Sequence, residues 1–140
     1  MMFVLLLALA QISPGTRSEP CTPQTLVGTW RVVEVDGQSR PDDYPVHKHV
    51  TLTHFAVIEW NPGDNDHTVR VHAGPYTASG DKYHESIVYG SGPRYDQLPA
   101  DRRRAGLNWS CSRTGDDWWI EGAYEGQTRR ETWRRVAPSR

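Results

Sequence analysis

Glu85 stands two residues beyond Tyr83 in the segment Lys82-Tyr83-His84-Glu85-Ser86-Ile87-Val88-Tyr89. Side chains two apart on an extended chain share a face, so Tyr83, Glu85, Ile87 and Tyr89 point one way and His84, Ser86 and Val88 the other. A carboxylate on an inward, aromatic face is costly unless a partner compensates it, which makes Glu85 the first pointer to a site. Val50 to Trp60 also alternates and reads as one strand, with Val50, Leu52, His54, Ala56, Ile58 and Trp60 on one face. On this reading His54, Trp60, Tyr83, Glu85 and Tyr89 face a common interior, and Tyr76 joins them from a neighbouring strand. One carboxylate, one imidazole and several phenols would orient a small molecule with polar groups on an apolar body, so these six are the candidate ligand-binding residues.

Chemistry is the second option for the same residues. A buried Glu85 has its pKa raised, a protonated His54 beside it lowers it again, and such a pair performs general acid–base work. In an isomerase or cyclase Glu85 would accept the proton and His54 or Tyr83 would donate it. The simpler reading is structural: a buried Glu hydrogen-bonded to Tyr and to His or Arg ties strands together. Ser110 and Ser112 lack a Gly-x-Ser-x-Gly context, so nucleophilic hydrolysis has no support. His47 and His49 share a strand face by spacing, and His72 and His84 are placed to meet across a hairpin. These pairs read as solvated histidines, and no metal site and no cofactor are assigned.

The elements that must position these residues are short strands. After residue 10 leucine is scarce and helical periodicity is absent, while 12 Gly and 10 Pro punctuate the chain, which is an all-β composition. Leu26 to Val35 is a first strand closed by the turn Asp36-Gly37, and residues 38–47, with Pro41, Asp42, Asp43 and Pro45, are loop chemistry. After Val50 to Trp60 comes the turn cluster Asn61 to Asp66, then strands over 67–73, 74–78 and 82–89. Gly90 to Pro99 is a loop, and Ala100 to Ala105 has room for one helical turn. Strands over 107–113, 118–124 and 128–136 complete an antiparallel meander, joined by hairpin turns at Thr114 to Asp117 and Glu125 to Gln127. Closing such a sheet removes its edges, so an up-and-down barrel is expected, with residues 21–140 as a single domain. A formal net charge of −1 gives no field that would favour nucleic acid.

The N-terminus reads separately. Phe3 to Ala10 is an apolar run of signal-peptide length, too short to span a bilayer, and Ser13-Pro14-Gly15 breaks it. Residues 1–20 are therefore expected to be a signal peptide with a polar leader, and the mature protein to be secreted or periplasmic with no stable membrane insertion. Two cysteines, Cys21 and Cys111, then favour a disulfide.

Gly28-Thr29-Trp30 at the start of the first strand looks like the Gly-x-Trp opening of lipocalins. Together with Thr53-His54-Phe55, Ala73-Gly74-Pro75-Tyr76, Gly80-Asp81, Tyr83-His84-Glu85 and the closing Glu131-Thr132-Trp133-Arg134-Arg135-Val136, it resembles the bacterial lipocalin-like domain family over roughly residues 26–136. The chain departs from the family's Gly-Gly-Thr-Tyr pattern at Ala73 and Pro75, and Pro75, lacking a ladder donor, belongs at an edge or a bulge. The resemblance implies a small lipocalin-like β-barrel with an internal cavity. It also suggests that Trp30 stacks against Arg134 or Arg135 at a closed barrel end. The partner it suggests is a small apolar or amphipathic molecule; a barrel enzyme remains the alternative.

Overall fold

The computed structural model describes residues 17–60, 69–92 and 99–137. The expected leader before Arg17 and the turn cluster Asn61 to Asp66 lie outside the described residues. The strands are β1 (Gly28–Val35), β2 (Gln38–Ser39), β3 (Val46–Val50), β4 (His54–Trp60), β5 (Val69–Ser79), β6 (Lys82–Glu85), β7 (Tyr89–Ser91), β8 (Leu107–Thr114), β9 (Asp117–Tyr124) and β10 (Gln127–Arg135). Among the described residues two short helices accompany them, α1 (Pro23–Leu26) and α2 (Ala100–Ala105), the latter where one helical turn is expected. The sheet runs β10-β9-β8-β6-β5-β4-β3-β1, and β10 pairs back onto β1, so eight antiparallel strands close into a barrel. Tight turns with glycine at positive φ (Gly37, Gly80, Gly115 and Gly126) make consecutive strands neighbours.

Three departures from the alternation pattern decide what faces the lumen. First, Val50 to Trp60 is not one strand. The chain reverses at Thr51–Thr53, where the Thr51 N–H donates to the His54 carbonyl (2.9 Å) and the His54 N–H donates to Thr51 Oγ1 (3.0 Å). Lys48 and Val50 are buried on β3, but Phe55 and Val57 are buried on β4, an odd offset that only a broken strand allows. His54 and Trp60, expected inside, are thereby turned out, and Trp60 is 50 % exposed. The loop expected over 38–47 is likewise interrupted by β2 and the start of β3. Second, the register of β1 against β10 shifts between Val32 and Glu34, so that Val35 rather than Glu34 is buried. Third, two residues of β5, Gly74 and Pro75, face three residues, 86–88, between β6 and β7. This bulge presses the Ser86 carbonyl onto Gly74, where any Cβ would collide with it. Pro75, which needs no ladder donor, sits beside it and accepts from the Ser86 N–H (2.9 Å). Beyond the bulge the expected alternation fails, and Tyr89 is 68 % exposed.

One end of the barrel is sealed. Thr22 caps α1 in a reciprocal capping box with Thr25, and Leu26 and Cys21 are fully buried against the core. Trp30 Nε1–H donates to the Leu26 carbonyl (2.8 Å), while Arg113 and Arg135 donate to the Thr25 carbonyl (2.7 and 3.0 Å). The Arg135 guanidinium lies 4.2 Å from the centre of the Trp30 ring, so Arg135 is the stacking arginine; Arg134 is turned outward and pairs with Asp117. Gly28, at φ +144°, leaves the space that Arg135 fills, since a Cβ there would strike Arg135 Nη1. The expected disulfide joins Cys21 to Cys111, with Cα atoms 6.3 Å apart, and fastens this plug to β8.

The bridge closes a loop of 90 residues. Cys21→Ser with Cys111→Ser is expected to lower unfolding stability by about 2–5 kcal/mol. Urea denaturation of the variant beside the oxidised protein checks this.

Candidate functional site

The barrel holds a buried ion pair near its middle. Lys48 on β3 and Glu85 on β6 reach toward each other from walls separated by β4 and β5, and Lys48 Nζ lies 2.7 Å from Glu85 Oε1. Both side chains are 2 % exposed. The Tyr83 hydroxyl donates to the same carboxylate oxygen at 2.8 Å. Four aromatic rings surround the ammonium, with their centres at 4.7 Å (Trp133), 4.9 Å (Trp118), 5.5 Å (Tyr83) and 6.0 Å (Phe55). Each ring offers the cation its negative face and takes the place of part of the lost hydration. Below the pair, Tyr83 meets Trp118 edge to face (5.0 Å) and Trp118 meets Trp30 (5.4 Å), so packing is continuous down to the plug.

Above the pair lies a cavity of about 180 Å³. Its apolar wall includes Val32, Val35, Val46, Val57, Leu107 and Trp133, and its polar groups include Lys48, Glu85, His72, Glu131, Arg129 and Arg40. Arg129, Glu131 and Trp133 alternate along β10: Arg129 Nε donates to Glu131 Oε1 (2.9 Å) and Trp133 Nε1 to Glu131 Oε2 (3.0 Å). His72 on β5 enters the same lumen, with its ring 6.0 Å from that of Phe55.

The titration of these groups follows from their surroundings. Burial pushes the Glu85 carboxyl up, but the charge of Lys48, that of His72 and the hydrogen bonds from Lys48 and Tyr83 outweigh it and hold the pKa below the ordinary 4.5. Burial, with the Glu85 charge and hydrogen bond, drives the Tyr83 phenol well above its ordinary range. Burial lowers His72 below 6.5, against the opposing pull of Glu85. The pair thus presents a fixed carboxylate against a protonated phenol, with a neutral imidazole above it near pH 7.

The six residues expected to gather round a ligand do not all meet. Glu85 lines the cavity, and Tyr83 lies beneath it as a hydrogen-bond donor to Glu85. Tyr76 is buried, but its hydroxyl is bound to the Thr51 carbonyl (2.7 Å) at the β3–β4 turn, and it does not line the cavity. His54 is exposed and hydrogen-bonded to Thr53 Oγ1, while Trp60 and Tyr89 lie on the outside. The acid–base pair envisaged between Glu85 and His54 is therefore not assembled. His72 and His84 do not face each other either, because His72 points inward whereas His84 bonds Asn108 at 2.8 Å outside. Sequence reasoning missed Lys48, Arg40 and Arg129, and set His72 aside as a solvated histidine. For Arg129 a signal existed, since 129, 131 and 133 share the parity of the Glu-x-Trp stretch. Among the described residues no set of three His, Cys, Asp or Glu side chains forms a metal-ligand cluster.

A lipocalin-like protein from Bacteroides uniformis ATCC 8492 superposes with a TM-score of 0.54, at 18 % identity over 79 % of this chain and 98 % of that one. The chain has a lipocalin-like fold. An uncharacterized protein from Bacteroides eggerthii DSM 20697 is similar too, with a TM-score of 0.52 at 15 % identity and the same coverage. No protein-family model and no curated protein matches the chain. The lipocalin-like barrel is thus the shared property, and the ion pair, aromatic cage and cavity are read from this chain's own residues.

Two outcomes follow. Lys48→Met leaves the Glu85 carboxylate buried without its cation and is expected to cost about 3–5 kcal/mol. The double variant Lys48→Met with Glu85→Leu is expected to recover most of that loss, as a double-mutant cycle from denaturant melts would measure. Acid acts through both shifted groups. The unfolded chain takes up a proton at His72 as pH falls below 6.5 while the folded one resists, and the same holds for Glu85 below 4.5. Melting temperature should therefore fall on acidification, and His72→Gln should blunt the part of the fall just below pH 6.5.

Proposed function

We propose that this chain is an exported small-molecule-binding protein that holds a small apolar or amphipathic ligand in the lumen of its lipocalin-like barrel. The observation that carries the reading is the cavity of about 180 Å³ that lies between apolar wall residues and a charged, hydrogen-bonded floor. Apolar wall positions combined with polar groups fixed by their own partners are what a pocket for an amphipathic molecule needs. The volume bounds the ligand, since about 150 Å³ accommodates benzene and drug-sized ligands occupy about 300 Å³ or more. Export is supported by the Cys21–Cys111 disulfide, which belongs in an oxidising compartment, and by the apolar run Phe3 to Ala10. Among the described residues no helix is long and apolar enough to cross a membrane.

Binding is favoured over acid–base catalysis by the state of Glu85. Its carboxylate already accepts from Lys48 and Tyr83 at 2.7 and 2.8 Å, and a base engaged by two donors is poorly placed to abstract a proton.

Native mass spectrometry of the protein purified from its source is expected to show a discrete, reproducible small-molecule adduct. Val46→Phe, at a half-buried wall position, should remove the adduct while leaving the circular dichroism unchanged. Repeated recovery of adduct-free protein, or an adduct indifferent to Val46→Phe, would contradict binding in the lumen.

A further inference from the structure

One of the cations that line the cavity has no ion-pair partner among the described residues. Lys48 pairs with Glu85 at 2.7 Å, Arg129 with Glu131 at 2.9 Å, and Arg70 with Glu59 at 3.7 Å. Arg40 also lines the cavity, yet among the described residues it has no carboxylate partner; its guanidinium lies 5.2 Å from the centre of the Tyr44 ring. Its Nε is buried and has no hydrogen-bond acceptor. Across the lumen on β8, Trp109 is 5 % exposed, and its Nε1–H is likewise buried without an acceptor. Buried polar groups are normally paired, and leaving one unpaired is expensive. Both of these cavity-lining groups are donors, and one carries a full positive charge.

Resting on the small-molecule reading above, we infer that the ligand of this lumen is a small monoanion, a ring-sized carboxylate with a second hydrogen-bond acceptor, whose charge is taken by Arg40. A carboxylate offers the planar acceptor pair that a guanidinium fork matches, and charge-assisted hydrogen bonds are roughly twice as strong as neutral ones. Arg40 is the cavity-lining cation with no carboxylate partner among the described residues, so a monoanion answers it, whereas a cation would be repelled by it. The second acceptor meets Trp109 Nε1–H. The apolar body lies against Val32, Val57 and Leu107, and a cavity only slightly larger than one that holds benzene limits it to about one ring.

Isothermal titration calorimetry on the full disulfide-bonded chain at low ionic strength tests this with five probes. Benzoate, benzamide and benzylamine share a ring and differ in charge; phenylglyoxylate and phenylacetate share a carboxylate and differ in one carbonyl. Benzoate is expected to bind about tenfold or more tighter than benzamide, with benzylamine weakest. Arg40→Gln should bring benzoate down to the benzamide level while changing benzamide less than about threefold, and Arg40→Lys should restore part of the difference. Trp109→Phe should abolish any advantage of phenylglyoxylate over phenylacetate. Benzamide binding as well as benzoate, or benzoate unaffected by Arg40→Gln, would overturn the anion assignment and leave the small-molecule reading standing. Absence of binding by all five probes would overturn the anion assignment, while the adduct and Val46→Phe decide the small-molecule reading separately.

Discussion

The ion pair between Lys48 and Glu85 is the constraint to which the rest of the interior answers. Two opposite charges inside a β-barrel are tolerated only if each keeps most of the stabilisation that water gave it. Here the carboxylate receives an ammonium and a phenol on one oxygen, and the ammonium has four aromatic faces around it. That requirement accounts for the crowding of Phe55, Tyr83, Trp118 and Trp133 at one level of the lumen. Below this level the barrel is filled with rings down to the plug. Above it a cavity remains. The pair therefore marks the boundary between a solid half and a hollow half.

The solid half has its own logic. A one-turn helix is too short to be stable alone, so α1 is held from outside by Arg113, Arg135 and the disulfide. Gly28, Trp30 and Arg135 form one interlocked unit in which the glycine exists because the guanidinium needs its space. The hollow half is organised by side-chain pairs such as Arg129 with Glu131, which keep charged groups at the lumen from being stranded.

Much of the fold was legible in the chain because its turns are written in local chemistry. Asp36-Gly37, Gly80, Gly115 and Gly126 each sit where positive φ is needed, and the alternation between them gives strands in order. Gly28-Thr29-Trp30 and Cys21 with Cys111 pointed to the plug end. The lumen was harder to read, since a face assignment inverts whenever one residue is gained or lost. The Thr51-Leu52-Thr53 reversal looks like strand by composition and moved His54 and Trp60 outside. The bulge at 86–88 did the same to Tyr89. Lys48 escaped notice because it follows a Pro- and Asp-rich stretch and because lysine is ordinarily solvated; only the three-dimensional closure supplies the carboxylate that makes its burial tolerable. Glu85 was found because a lone carboxylate among aromatic residues is conspicuous in one dimension as well as in three.

The account is tested most directly by the ionisation of that carboxylate. Carbon-13 NMR of glutamate side-chain carboxyls, with Glu85 assigned by its loss in Glu85→Gln, would follow its titration in the folded protein. The account predicts a midpoint below the ordinary 4.5. A midpoint above 4.5 would mean that burial outweighs Lys48 and the hydrogen bonds to the carboxylate, and would contradict the account.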